Sequence, residues 1–168
     1  AAGMAGLSIS IIRPSWLYGP RDRLSIARID RSLKSGRVRL IGSGDNFMNT
    51  VYAGNVAEAC RMAGKRPEAV GQAFNITNDG RLTQRRYFEL YAQALGHPAP
   101  TRHYPFAVAW TGAFVMEAAF RAVRSRRPPF ITRYAVWLLG RNTFYSTEKA
   151  QRVLGWRPRV GYEEGIPL

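Results

Sequence analysis

Acidic side chains are scarce in this chain: 11 Asp and Glu stand against 25 Lys and Arg, for a formal net charge of +14. Lysine is scarcer still, since only Lys34, Lys65 and Lys149 interrupt an otherwise all-arginine basic set. The imbalance favours anionic partners, whether nucleotides, phosphorylated sugars, nucleic acid or acidic lipid. A solvated arginine-rich surface, or an acidic counterpart outside the chain, accounts for the same charge. Cys60 is the only cysteine, which excludes an internal disulfide framework and fits a reducing, cytoplasmic setting. No apolar run approaches the roughly 20 residues that span a bilayer. His97 and His103 lie beside prolines, without the spaced partners of a metal site. No methionine opens the sequence, and residues 1–6 read as the tail of a helix. Gly165 to Leu168 closes it just where Glu163 and Glu164 signal a helix start, so both ends are expected to be cut points.

What is present alternates between strand and helix. Leu7 to Arg13 is a nearly continuous apolar run, as in a parallel strand covered on both faces. Leu24, Ile26, Ala27, Ile29 and Leu33 then mark an amphipathic helix closed at Gly36. Short strands are expected over 38–41 and 50–53, with Asn55 as N-cap of a helix over 56–63. Residues 73–76 form the next buried strand, and Thr83 caps a helix stopped by Gly96 and Pro98. This alternation predicts an α/β fold. Cys60, with Val56, Ala57 and Ala63 as helix neighbours, reads as core.

After Pro100 the character changes. Phe106 to Phe120 is apolar nearly all round, and Arg121, Arg124, Arg126 and Arg127 follow at once. Three uses are open: a buried helix of a small lobe, a lid over a hydrophobic pocket, or docking on an acidic membrane surface. A helix over 132–139 follows, and then one capped by Ser146 and ending at Leu154-Gly155. The aromatics cluster in apolar segments instead of alternating with arginines, which places nucleic acid last among partners.

Four segments carry a resemblance. They are Ile12-Arg13-Pro14 through Tyr18-Gly19-Pro20; Gly42-Ser43-Gly44 with Asn46 and Val51 to Ala59; Phe74 to Thr77 with the Thr83 helix; and Ser146 to Ala150 followed by Leu154-Gly155-Trp156-Arg157-Pro158 and Glu163-Glu164-Gly165. In this order they resemble the C-terminal half of an extended short-chain dehydrogenase/reductase of the epimerase/dehydratase and 3β-hydroxysteroid dehydrogenase type. The resemblance implies the last part of a Rossmann-type doubly wound parallel sheet plus a small, mostly helical substrate-binding lobe. Residues 1–96 would hold the last strands and helices of the Rossmann-type domain, and 97–168 mainly the lobe. It further implies NAD or NADP as cofactor of the complete enzyme, which moves a hydride to or from a secondary alcohol carbon.

Two parts of that machinery do not occur in this sequence. No glycine fingerprint follows a strand and opens a helix, and Gly42-Ser43-Gly44 has no third glycine. The family's Tyr-x-x-x-Lys belongs before Ala1; Tyr145 and Lys149 have its spacing but straddle the Ser146 cap. No catalytic residue is therefore expected here, and the chain alone is expected to be inactive, with an N-terminal Rossmann half as partner. By the resemblance, Pro14 and Ser15 meet the nicotinamide end of the cofactor. Trp16, Tyr18, Asn46, Met48 and Arg141 are the implied substrate-side positions. Trp16 and Met48 stand where sugar-nucleotide members often carry Asn and Arg, which tilts the substrate toward something apolar. Core packing accounts equally for Trp16 and Met48, and packing under the turn is the readier role for Tyr18. Arg21, Arg23 and Arg37 are further candidates for an anionic group, with Arg141 preferred. The rival class is a stand-alone lipid- or ligand-binding module on acidic membranes.

Overall fold

The computed structural model describes residues 7–77, 80–125 and 129–167. The expected helix tail at 1–6, Arg126 and Arg127, and the side chain of Leu24 lie outside the described residues. In chain order the elements are β1 (Ile11–Pro14), β2 (Trp16–Tyr18), α1 (Arg23–Lys34), β3 (Leu40–Ile41), β4 (Phe47–Met48), β5 (Thr50–Tyr52) and α2 (Ala53–Ala63). They continue with β6 (Ala73–Ile76), β7 (Leu82–Thr83), α3 (Gln84–Ala94), β8 (His103–Tyr104), α4 (Phe106–Ala122), α5 (Arg133–Gly140) and α6 (Tyr162–Gly165). The chain divides into two compact units, one from Ala1–Ile26, Asn49–Gly80 and Phe144–Leu168, the other from Ala27–Met48 and Arg81–Thr143. Residues 97–168 are thus shared between both units.

The first unit is built on parallel pairing. β1 runs parallel to β6 from Ile11↔Ala73 to Pro14↔Ile76, and β2 runs parallel to β5 from Trp16↔Thr50 to Tyr18↔Tyr52. One face of this framework is fully covered. Val51, Phe74 and Ile76 pack with Ala59 of α2 and with Leu154 and Trp156, all at 0% exposure. Alanines at 59 and 63 keep the α2 core stripe thin, so the helix backbone lies close to the strands. A wide π-helical turn over Ala150–Leu154 delivers Trp156 to the core, and Gly155, in the left-handed region at φ 68, ends it.

Asn55 is not the helix cap that its sequence context suggests, because α2 starts at Ala53. Its buried side chain holds the C-terminal segment instead. Oδ1 accepts from the main-chain N–H of Arg159 at 3.1 Å and of Val160 at 3.2 Å, while Nδ2 donates to the Val160 carbonyl at 2.8 Å. The Asn55 carbonyl accepts the Trp156 indole N–H at 3.0 Å. A tertiary partner 105 residues away has displaced the local capping role.

The second unit pairs β3 in parallel with β8, and β4 antiparallel with β7. Its core joins Ile41, Ala113 and Val136, with Phe106, Ala109, Ile131 and Leu139 packed against them. Thr83 caps α3 as expected, accepting from the N–H of Arg86 at 3.1 Å, and Thr132 caps α5 by accepting from the N–H of Ala135 at 3.1 Å. Gln84 is fully buried: its Oε1 accepts from Ile41 N–H at 2.8 Å, and its Nε2 donates to the Leu139 carbonyl at 2.7 Å. The α4 helix is not the buried element that an all-round apolar helix suggests, since Ala113 is its one buried residue. No helix among the described residues is long and apolar enough to cross a membrane.

Replacing Asn55 with Ala leaves the Arg159–Val160 main chain without its partners. The expected loss is about 2–4 kcal/mol, from three hydrogen bonds at about 1 kcal/mol each and the groups left unpaired. Urea unfolding followed by tryptophan fluorescence checks it.

Candidate functional site

The carboxyl ends of β1 and β6 meet the start of β5 in the first unit, and ligands of α/β folds collect at the carboxyl ends of parallel strands. The ladder continues one step past β1, with Ser15 N–H donating to the Ile76 carbonyl at 3.0 Å. Ser15 Oγ donates to Thr77 Oγ1 at 2.9 Å, and Thr77 Oγ1 donates onward to the Thr50 carbonyl at 3.3 Å. This hydroxyl chain fixes the backbone at Pro14 and Ser15 without using either main-chain carbonyl. Thr77 was overlooked as a site residue in the sequence; the available signal was its place directly after the β6 strand. Trp16 and Leu17 are 37% and 43% exposed, an apolar surface beside that strand end. Tyr18 is buried, its ring centre 5.9 Å from that of Tyr52, which is the packing role expected of it.

In the second unit the structure gathers Asn46 and Arg141 around the C-terminus of α5. Asn46 Nδ2 donates to the Leu139 carbonyl, the acceptor that Gln84 also uses, and Asn142 Oδ1 accepts from Phe47 N–H at 2.7 Å. Arg141 is exposed, with its guanidinium carbon 4.4 Å above the centre of the Phe106 ring. Stacking fixes the plane of the fork while leaving its N–H edge available for a carboxylate or phosphate. Met48 is buried and faces Leu82 across the β4–β7 pair, so it fills core.

The other sequence candidates separate cleanly. Tyr145 precedes the final helix and is 44% exposed, while Lys149 Nζ stands 5.2 Å from the Phe74 ring centre. Their spacing therefore builds no acid–base pair. Arg21, Arg23 and Arg37 are exposed. His97 Nε2 lies 2.8 Å from Asp30 Oδ1, and His103 sits exposed in β8. Cys60 is exposed, not core: the buried stripe of α2 is Asn55, Ala59 and Ala63, and Cys60 falls one step round the helix from it. There it lines an open cavity of about 480 Å³ with Ser8, Ser10, Lys65 and Arg66.

The described residues present no glycine-rich turn opening a helix of the kind that holds a dinucleotide pyrophosphate. The strand end at Pro14 and Ser15 offers a backbone edge fixed by hydrogen bonds to Ile76 and Thr77. Gly42 and Gly44 both adopt the left-handed region, yet β4 follows them, so no helix N-terminus is presented for a pyrophosphate.

Parallel βα pairing, a strand ending in Arg13-Pro14-Ser15 and an interleaved helical unit together define the extended short-chain dehydrogenase/reductase class. The chain belongs to the 3-beta hydroxysteroid dehydrogenase/isomerase family, whose model matches residues 2–105. It is 32% identical over 170 residues to a 2-alkyl-3-oxoalkanoate reductase of Stenotrophomonas maltophilia (strain K279a), covering 99% of this chain and 52% of that protein. It is 29% identical to the decarboxylating sterol-4-alpha-carboxylate 3-dehydrogenase of Mus musculus, covering 92% of this chain and 45% of that protein. The chain thus spans about half the length of these relatives. Among solved structures, a UDP-glucose 4-epimerase from Thermotoga maritima with UDP-glucose superposes with a TM-score of 0.62 at 22% identity, over 97% of this chain and 45% of that one. A UDP-glucuronic acid 4-epimerase from Bacillus cereus in complex with NAD gives 0.63 at 15% identity, over 96% and 43%. These two share the fold.

One titration is expected to be visible. The Arg133 main-chain N–H and guanidinium both donate to the Glu117 carboxylate, at 2.7 and 2.8 Å, and hold its pKa below the usual range. A depressed carboxylate pKa contributes stability above the unfolded value, near 4.3, and loses it as pH falls through the folded pKa. Acid below about pH 4 should therefore loosen the α4–α5 pair, and Glu117→Gln should flatten that dependence. Helical circular dichroism against pH checks both.

Proposed function

We propose that this chain is the substrate-binding part of an NAD(P)-dependent oxidoreductase or epimerase acting at a secondary alcohol or keto carbon of an apolar substrate. The observation that carries the reading is the incomplete β1–β6 layer. Parallel sheets are covered on both faces. Here Phe74 and Ile76 are buried on one face, while Leu7, Ile9 and Ile11 are 62%, 38% and 44% exposed on the other. An N-terminal Rossmann half, carrying the glycine-rich turn and the Tyr-x-x-x-Lys pair, is the partner that this face requires. Pro14 and Ser15 line the nicotinamide side.

Trp16 supports the apolar substrate, since an exposed indole beside Leu17 favours hydrocarbon over phosphate. The names of the relatives, an alkyl-oxoalkanoate reductase and a sterol-carboxylate dehydrogenase, agree with that choice. Arg141 supplies the anion partner of such an acid and Asn46 a polar contact. Tyr18 and Met48 act from buried positions, by shaping. A second reading has one observation in its favour: α4 turns uncharged residues to solvent, which suits a lipid- or ligand-binding module peripheral to acidic membranes from the cytoplasmic side.

Calorimetry on the isolated chain is expected to show no NADH binding, and micromolar affinity would contradict the reading. In the complete protein, Trp16→Asn is expected to raise KM for an apolar keto substrate about tenfold with smaller change in kcat, through lost binding surface.

A further inference from the structure

Helix α5 ends on Gly140, directly before Arg141. This glycine does not adopt the left-handed conformation that commonly places glycine at a helix end, so its reason lies in packing. A Cβ at position 140 would stand 2.6 Å from Ile41 Cγ2 and 2.8 Å from Phe106 Cδ2, closer than side chains approach. The bare α-carbon lets the last turn of α5 rest on the Phe106 ring, which belongs to the first turn of α4. Phe106 is held from two other directions. It packs against the cluster of Ile41, Ala113 and Val136, and its ring stacks on Trp110, with centres 5.8 Å apart and planes inclined by 22°.

Arg141 lies on this supported ring. Its guanidinium carbon is 4.4 Å from the Phe106 ring centre, while the residue is exposed. It makes no ion pair among the described residues. Between His97 and Thr147 the only acidic residue is Glu117, and Arg133 occupies it with both its main-chain N–H and its guanidinium. The Leu139 carbonyl, two residues before Arg141, already accepts from Asn46 Nδ2 and Gln84 Nε2, so both of its lone pairs are taken. The guanidinium is thus supported on a ring and left without a local anion.

The geometry points to Phe106 as a positioning residue for Arg141, with Gly140 and Trp110 holding Phe106 in place, so that the fork is aligned before an anion arrives. A guanidinium sweeping its rotamers loses that freedom on binding, whereas one already stacked loses less. The selection that follows is for a planar anion with two oxygens, which meet two parallel N–H groups in the plane that the ring sets. Trp110, 36% exposed, extends an apolar surface from the same ring for the hydrocarbon attached to that anion. This rests on Arg141 as the anion partner of an acid substrate and adds the group that orients it.

The test uses the full chain, with octanoate as probe and octanamide as its uncharged counterpart, followed by NMR of the arginine Nε–Hε groups. The Arg141 signal is assigned by its loss in Arg141→Lys. A proton above a ring face is shifted upfield, so the Arg141 Hε is expected upfield in the parent chain and to move with octanoate but not octanamide. Phe106→Leu is expected to abolish the upfield shift and weaken octanoate about three- to fivefold, while Phe106→Tyr restores both. Trp110→Ala, at a more exposed position, is expected to weaken octanoate in the same direction. The Arg133 Nε–Hε group, which donates to Glu117 at 2.8 Å, is the internal control, and its unchanged signal shows that the α4–α5 pair is kept. Parent-like octanoate affinity in Phe106→Leu, or in Trp110→Ala should the leucine variant lose the control signal, overturns the positioning role and leaves Arg141 as anion partner standing. An Arg141 signal that octanoate leaves unmoved in the parent, or that octanamide moves equally, overturns both.

Discussion

The parallel pairing of β1 with β6 is the constraint on which the first unit depends. Parallel strands cannot be joined by a tight turn, so the chain must leave the sheet and return, and everything between Pro14 and Ala73 is shaped by that journey. The return passes through β5 and α2, which places Ala59 and Ala63 over Phe74 and Ile76. Trp156 completes the covering, and Asn55 holds it there by gripping the main chain at Arg159 and Val160. The same pairing aligns the strand ends, so that Ser15, Thr77 and the Thr50 carbonyl meet in one hydrogen-bonded chain.

A one-sided parallel layer has a functional consequence. The covered face supplies rigidity to the strand ends at Pro14 and Ser15. In the proposed reading, the bare face takes a covering layer and the free edge of β1 takes a further strand. In the ladder, the N–H groups of Ile11 and Ser15 point to β6, so alternation directs those of Ser10 and Ile12 to the opposite edge. Apolar side chains on one face and main-chain donors on one edge are the surfaces that the proposed N-terminal half would cover; the relatives are about twice as long.

Local chemistry was legible wherever neighbours in sequence decide the outcome. The β6 strand, the Thr83 cap, the glycine stop after α1 and the Tyr145–Lys149 decoy all depend on contacts within a turn or two. What depends on distant partners was not. Asn55 has the composition of a cap, but Val160 claims its amide. Cys60 has apolar helix neighbours, but burial is set by which side of α2 meets the strands. The apolar content of α4 is plain in the sequence, whereas its outward stripe is visible only once Ala113 is seen to be the side facing the core. Of the site, the strand end at Pro14 and Ser15 was recognisable from its motif; the Thr77 relay and the stacking of Arg141 on Phe106 required coordinates.

The central claim is that β1 is an interior strand of the complete protein lacking its neighbour in this chain. Residue-resolved amide hydrogen exchange tests it most directly. In the isolated chain the Ile11 amide is expected to be protected and the Ile12 amide to exchange rapidly, and in the complete protein both are expected to exchange slowly. Equal protection of Ile11 and Ile12 in the isolated chain, or an Ile12 amide that stays fast in the complete protein, would contradict it.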